Sequence, residues 1–412
     1  MRAVLGLVAV LMTIAVPLVS PTPAHENPPA APAPPPSKSD GVYIVVTNGT
    51  IQAEAIADRY GVTARHTYGS ALHGFSAAMS ADQAGSILRD PAVSYVQRNL
   101  VHRVTDTQAQ PPSWGLDRVD QRTPPLDESY TYPTDAAAVH AYVVDTGVRT
   151  THTDFGGRAE SGYDAIDGGP AEDCHGHGTH VAGTIAGTAH GVAKAARIVA
   201  VRVLDCGGSG TTETVLAGVD WVAAHARKPA VANMSLGGGP DPALDDGVRR
   251  AIASGVTFAL SAGNGLGGEP RPACDQSPAR VAEALTVSAT DREDSRAQWA
   301  NIGGCVDLFA PGVSIVSAWN AADDATRTLS GTSMAAPHVT GAAALYLQEH
   351  PEATPPEVAA AVVAAATPGA VRDPLEAPNL LLYIGDALPT CPPAPPPPSP
   401  DPTTPAPEPS PT

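Results

Sequence analysis

Lysine and arginine are scarce in this chain: 24 stand against 42 aspartates and glutamates in 412 residues, a formal net charge of −18. Residues 1–106 hold seven of each sign, so the whole excess of negative charge lies from residue 107 onward. A surface of that sign repels a phosphate backbone, which excludes nucleic acid as a partner. Aromatic residues are only 4% and charged residues 16%, whereas there are 39 glycines and 43 prolines. This composition suits an α/β interior of small side chains flanked by extended proline-rich stretches. No internal repeat is visible, and one main core is expected, as a monomer. Beyond the N-terminus no apolar run reaches the ~18 residues needed to cross a bilayer, so no stable membrane insertion is expected.

The N-terminus itself carries Arg2, an apolar run from Ala3 to Val19, and a break ending in small residues at Ala24. That order marks residues 1–24 as a secretory signal peptide and the protein as extracellular. Residues 25–40 are a proline-rich spacer, too poor in apolar side chains to pack. A small α+β unit over 41–106 follows: strands at 41–46, 73–79 and 92–97, a helix at 51–60, and a second helix over 80–90 that Ser80 caps. The polar stretch from Arg103 to Pro112 is where domains part and proteases cut. From 107 to 388 short apolar strands alternate with helix-length segments: VHAYVVDTG, RIVAVRVLD, AVANMSLGG, VTFALSAGN and EALTVSATD. This rhythm predicts a mostly parallel central sheet with helices on both faces, whose ligands sit at the carboxyl ends of the strands. Residues 389–412, rich in Pro, Ser and Thr, form a disordered tail.

Three short motifs carry chemistry. Asp145 ends an apolar strand and is followed by Thr146 and Gly147, leaving a carboxylate at the sheet rim. His177 lies in a run from Asp173 to Gly183 where small residues open a helix. His175, His177 and His180 lack the i, i+4 pair of a zinc-peptidase helix, so a metal centre is disfavoured there. Ser333 stands at the start of the apolar helix that runs through Leu347, where free N–H groups favour a developing oxyanion. Pro337 is expected within the first turn, where a missing N–H is harmless. Each motif alone reads as a turn, a packed histidine or a cap; the chain order Asp, His, Ser joins them.

The stretches 144–147, 177–183 and 331–338 resemble the three active-site signatures of the subtilases, and the similarity runs from about Trp114 to Leu388. The resemblance implies a secreted serine endopeptidase with Asp145, His177 and Ser333 as its triad and Asn264 as oxyanion donor. Segments Gly208-Ser209-Gly210 and Ser235-Leu236-Gly237-Gly238 are similar to the family's substrate-binding strands and pocket wall. Glycines there admit a second backbone, so extended polypeptides are the expected substrate. With no evident fixed charge on that wall, an apolar side chain is expected before the scissile bond. The unit over 41–106 resembles the inhibitory propeptide, which assists folding and blocks the cleft until it is cut near Asp106 or Thr107.

Five cysteines in a secreted chain suggest two disulfides and one odd thiol, with three pairings open for any four. Similarity to the aqualysin-like branch of proteinase K relatives implies Cys174–Cys206 and Cys274–Cys305, leaving Cys391 in the tail. Asp117, Asp120, Gln121, Asp127 and Ser129 bring hard oxygen ligands close together, as structural Ca²⁺ requires, and resemble a calcium loop of that branch. Asp307 matches a second calcium carboxylate, with the carbonyls of Ala282 and Ala284 as its partners.

Overall fold

A computed structural model describes residues 41–49, 51–99 and 106–385. The expected signal peptide, spacer and tail, and Cys391, lie outside the described residues. The chain divides into two compact units between Val101 and His102.

The first unit runs β1 (Gly41–Thr47), α1 (Ala53–Arg59), β2 (Ala64–Tyr68), β3 (Gly74–Met79), α2 (Ala81–Leu88) and β4 (Val93–Arg98). Its sheet is antiparallel throughout, in the order β2-β3-β1-β4. Val45, Phe75 and Ala77 from the strands pack with Ile56 of α1 and Ile87 of α2. Ser80 caps α2 in a reciprocal box with Gln83, satisfying two donors that the helix start leaves free. Strand β2 was not anticipated, because its sequence ARHTY shows no alternation and most of it is exposed.

The second unit opens with β5 (Asp106–Ala109), α3 (Trp114–Val119), β6 (Ser129–Tyr132) and β7 (His140–Asp145). Then come β8 (Ala159–Asp164), α4 (His177–Ala186), β9 (Arg197–Arg202), α5 (Thr212–His225), β10 (Ala230–Met234) and α6 (Pro242–Ala253). The chain continues with β11 (Thr257–Ser261), β12 (Leu285–Thr290), β13 (Leu308–Pro311), β14 (Ile315–Ala318) and β15 (Thr326–Leu329). It closes with α7 (Thr332–Glu349), α8 (Pro355–Ala365), β16 (Thr367–Pro368) and β17 (Leu380–Leu381). Asp106 pairs with Tyr132 through the β5–β6 ladder, so the polar stretch after residue 105 is strand rather than free linker.

Nine strands form the central sheet in the order β16-β17-β13-β12-β11-β10-β7-β9-β8, parallel except for the β16–β17 edge. Side chains alternate between two cores, as the period of two demands. Ala141 and Val143 of β7 face the side of α4 and α7, while Tyr142 and Val144 face α5 and α6. Helices therefore cover both faces, although β11 and β12 are followed by loops rather than helices. The chain leaves β7 to build β8 and β9 on one side and returns to lay β10 to β13 on the other. The carboxyl ends of β7, β10 and β11 flank that reversal, which is where such sheets hold ligands.

A fully buried charge ties the N-terminal helix of this unit to the far loops. Arg118, fully buried on α3, makes a two-pronged bond to Asp294 (2.6 and 3.0 Å) and reaches the Gln121 and Arg122 carbonyls. Loss of either partner would strand a buried charge, the costly case for such pairs. Among the described residues no helix is long and apolar enough to cross a membrane.

Candidate active site

Asp145 is the last residue of β7 and is fully buried. Its Oδ1 accepts the Thr146 N–H at 2.8 Å. His177 is the first residue of α4, and its Nδ1 lies 2.8 and 3.0 Å from the two Asp145 oxygens. The carboxylate therefore accepts from the Nδ1–H, which stays on the ring, and leaves Nε2 as the basic nitrogen. Helix and strand approach this closely because residue 178 is glycine: a Cβ there would stand 2.1 Å from the Gly147 carbonyl oxygen. Burial pulls the His177 pKa down, but the charge of Asp145, its hydrogen bond and the charge of Asp173 outweigh it, and the net shift is upward.

Asp173 went unassigned at the level of sequence. Its Oδ1 accepts from Thr146 Oγ1, His175 N and Gly176 N, and its Oδ2 accepts from Thr179 N and Oγ1, all at 2.6–2.9 Å. One carboxylate thus caps the helix that carries His177 and fixes the residue beside Asp145. An aspartate a few residues before a helix-opening motif is the signal that marks it.

Ser333 is the second residue of α7, so its N–H is one of the donors that a helix start leaves unpaired. Pro337 is the sixth helical residue, not part of the first turn as expected, so its missing N–H deprives the Ser333 carbonyl of its helical partner. Ser235 replaces that partner, its Oγ donating to the Ser333 oxygen at 2.8 Å. Ser235 Oγ accepts in turn from Asn233 Nδ2 (2.8 Å), and Asn233 Oδ1 accepts from Thr340 Oγ1 (2.9 Å). Three buried side chains, Asn233 of β10, Ser235 just after it and Thr340 of α7, thus hold the backbone of Ser333. The Ser333 hydroxyl donates to the Ser235 carbonyl oxygen at 3.2 Å and, among the described residues, makes no hydrogen bond to His177. His177, Ser333 and Asn264 all line one cavity of 320 Å³.

Asn264 follows β11. Its Oδ1 accepts from both Thr332 N (3.0 Å) and Thr332 Oγ1 (3.1 Å), which orients its Nδ2 away from that contact. Thr332 Oγ1 also accepts from Gly263 N at 3.1 Å, locking the Asn264 loop to the start of α7. A second cavity, of 470 Å³, is lined by Gly208, Ser209, Gly210, Ser235, Leu236, Gly237 and Gly238, with Thr146 and His177. All seven residues singled out as substrate-binding therefore face one space. Leu204, Val215 and Leu244 make its wall apolar, but Asp241 also lines it. Hydrogen bonds from Thr212 and then from the Leu244 N–H hold the Asp241 pKa below its ordinary value, so the wall does carry a negative charge.

Residues 139–381 match the subtilase family, and residues 42–105 match the peptidase inhibitor I9 family. An extracellular serine proteinase of Thermus sp. (strain Rt41A) is 54% identical over 77% of this chain and 76% of its own length. The chain belongs to the subtilase family. This subtilase is also 48% identical to the alkaline serine exoprotease A of Vibrio alginolyticus, over 79% of the chain and 61% of that relative's length. The crystal structure of a cold adapted subtilisin-like serine proteinase superposes with a TM-score of 0.64 at 54% identity, covering 66% of this chain and 97% of that one. The protein is an extracellular, subtilisin-like serine endopeptidase carrying a unit of the propeptide-inhibitor type.

Both disulfides of the subtilase join as the resemblance implied, Cys174–Cys206 and Cys274–Cys305, with Cα separations of 5.0 and 5.3 Å. Each spans about thirty residues, a loop length for which the chain-entropy model gives about 3–4 kcal/mol. The first anchors the loop before His177 to the segment after β9 that leads to Gly208–Gly210.

The expected calcium loop was tested by its donors. Asp117 accepts from the N–H groups of Asp127 and Glu128, Asp120 Oδ2 from Thr131 N, and Asp127 Oδ1 from Ser129 N and Oγ. Asp120 Oδ1 and Gln121 Oε1 are buried without any hydrogen-bond partner. Burial first, then the charges of Asp127 and Asp117, push Asp120 up to about 7 against the opposing Thr131 N–H. Orphaned hard oxygens in an overcharged pocket fit a divalent oxygen-seeking cation. Among the described residues, however, no three His, Cys, Asp or Glu side chains gather as a metal cluster. Asp307 exchanges hydrogen bonds with the backbone of Thr286, just beyond the turn at 281–284 that contains Ala282 and Ala284, and burial raises its pKa to about 6. Of the histidines near His177, His180 directs Nε2 to the carbonyls of Ile315 and Arg327, both at 3.1 Å.

Proposed function

We propose that the enzyme hydrolyses extended polypeptides through Asp145, His177 and Ser333, with Asn264 Nδ2 and the Ser333 N–H as oxyanion donors. The observation that carries this reading is the Asp145–His177 hydrogen bond, set beside Ser333 and the outward amide of Asn264. With a peptide bound, the Ser333 hydroxyl leaves the Ser235 carbonyl and turns to His177 Nε2, a contact that in empty sites commonly tightens only with substrate. His177 takes the proton as Oγ attacks the carbonyl carbon, and Asp145 stabilises the imidazolium without being protonated. The developing oxyanion meets Asn264 Nδ2 and the Ser333 N–H. His177 then protonates the leaving amine, and water repeats the sequence on the acyl-enzyme.

The acyl side of the substrate lies along Gly208–Gly210 and Ser235–Gly238, and the apolar part of the wall, Leu204, Val215 and Leu244, favours an apolar residue before the scissile bond, while Asp241 disfavours an acidic one. Residues 41–106 act as an intramolecular inhibitor and folding aid until cleavage near Asp106 or Thr107, and residues 107–388 form the catalytic domain. A fluorophosphonate probe should label the secreted enzyme at Ser333 alone, and N-terminal sequencing should place its first residue near 106 or 107. Labelling at any other serine, or a mature protein that retains residues 41–105, would overturn the respective assignment.

Calcium supplies rigidity, not chemistry. Asp117, Asp120, Gln121, Asp127 and Ser129 would hold one ion, and Asp307 with the Ala282 and Ala284 carbonyls a second. An ion at a hundredfold excess over its Kd contributes about 2.7 kcal/mol per site, so chelation should lower Tm by about 5–10 °C for each site it empties. An unchanged Tm after chelation removes the calcium assignment.

A further inference from the structure

The cavity of 320 Å³ on the Asn264 side of Ser333 has an outer wall that the reaction does not use. Trp319 and Arg327 form it, contributed by the hairpin of β14 and β15. The Arg327 guanidinium lies over the Trp319 ring, 4.4 Å from its centroid. The Trp319 ring in turn packs on Gly176, whose φ of +110° and lack of a side chain both matter: a Cβ there would fall 2.3 Å from Trp319 Cζ2. The backbone under the arginine is equally fixed. Its carbonyl accepts from the buried His180, and Ser317 pairs with Arg327 across the hairpin. Burial drives His180 down to about 3, which keeps it a neutral donor.

Arg327 is exposed, and among the described residues it makes no ion pair. Of the two acids at the hairpin tip, Asp323 is held by Arg149 and Thr151, and Asp324 lines a separate cavity with His152 and His190. In an enzyme of net charge −18, an unpaired cation held rigid at the mouth of the reactive cavity is an anion site in waiting. The opposite cavity is taken by the acyl side, so this one receives the residues released with the amine.

We propose that Arg327, stacked on Trp319, is a specificity-determining residue that favours an acidic side chain at the first or second position after the scissile bond. The proposal rests on the peptidase reading above. It is tested with matched quenched peptides that carry Glu or Gln at those positions, read as the ratio of their kcat/KM values, which a general loss of activity leaves unmoved. The wild type should favour Glu about fivefold at low salt, as for a partly exposed ion pair, and lose most of that preference in 0.5 M salt. Arg327→Gln should bring the ratio near one, Arg327→Lys should keep its sign, and Arg327→Glu should reverse it in favour of a Lys peptide. Equal Glu-to-Gln ratios in wild type and Arg327→Gln, with the Gln peptide still cleaved by the wild type, overturn the proposal and leave the peptidase reading intact. A wild type that cleaves neither peptide overturns both.

Discussion

Ser333→Ala should lower kcat by about 10⁶ while leaving the fold in place. The side chain removed is small, and the interaction that holds this residue is made by its carbonyl, which alanine keeps: Ser235 Oγ still has the same oxygen to bond. The hydroxyl lost has one weak partner in the resting enzyme, the Ser235 carbonyl at 3.2 Å. Tm should therefore stay close to that of the wild type, and the whole effect should appear in the acylation rate. The secreted variant should also keep residues 41–105 attached if the enzyme cuts its own junction. Activity of the variant within tenfold of wild type on a chromogenic peptide would rule out Ser333 as the nucleophile.

Asp145→Asn should cost about 10⁴ in kcat, with little change in KM. An amide at position 145 can present its NH₂ group to His177 Nδ1, which holds the ring in the tautomer that carries its proton on Nε2 and so has no base to offer Ser333. The charge matters as well as the geometry. Burial lowers the His177 pKa, and the Asp145 charge and hydrogen bond are the main forces that raise it past its ordinary value. Activity needs neutral His177, so the acid limb of kcat/KM reports that pKa. Removing the charge should move this limb to lower pH in the variant, although Asp173 still adds its own upward push. A pH profile that keeps the wild-type acid limb would show that another group sets it.

The triad was legible because each of its residues sits at a boundary that sequence marks well: a strand end at Asp145, a glycine-rich helix start at His177, a helix start at Ser333. The alternating parallel sheet was legible for the same reason, since its strands are continuous apolar runs. Elements whose stabilisation comes from outside their own segment were not. Strand β2 has no apolar face to announce it, and β8, AESGYD, is an edge strand that shows its polar side to solvent. The Asn233–Ser235–Thr340 chain becomes meaningful only when β10 lies beside the third turn of α7, a proximity across about 100 residues. Asp241 was read past because its charge enters the cleft from a helix cap, three residues beyond the motif that marks the wall. Arg327 and Trp319 are joined by a hairpin whose register no local pattern encodes.

Pro337 has a consequence beyond its own helix. By withholding an N–H it detaches the Ser333 carbonyl from α7 and hands it to Ser235, the residue just before Leu236 in the wall of the 470 Å³ cavity. In the proposed mechanism, one hydrogen bond therefore joins the wall that holds the acyl half of a peptide to the backbone that carries the attacking oxygen.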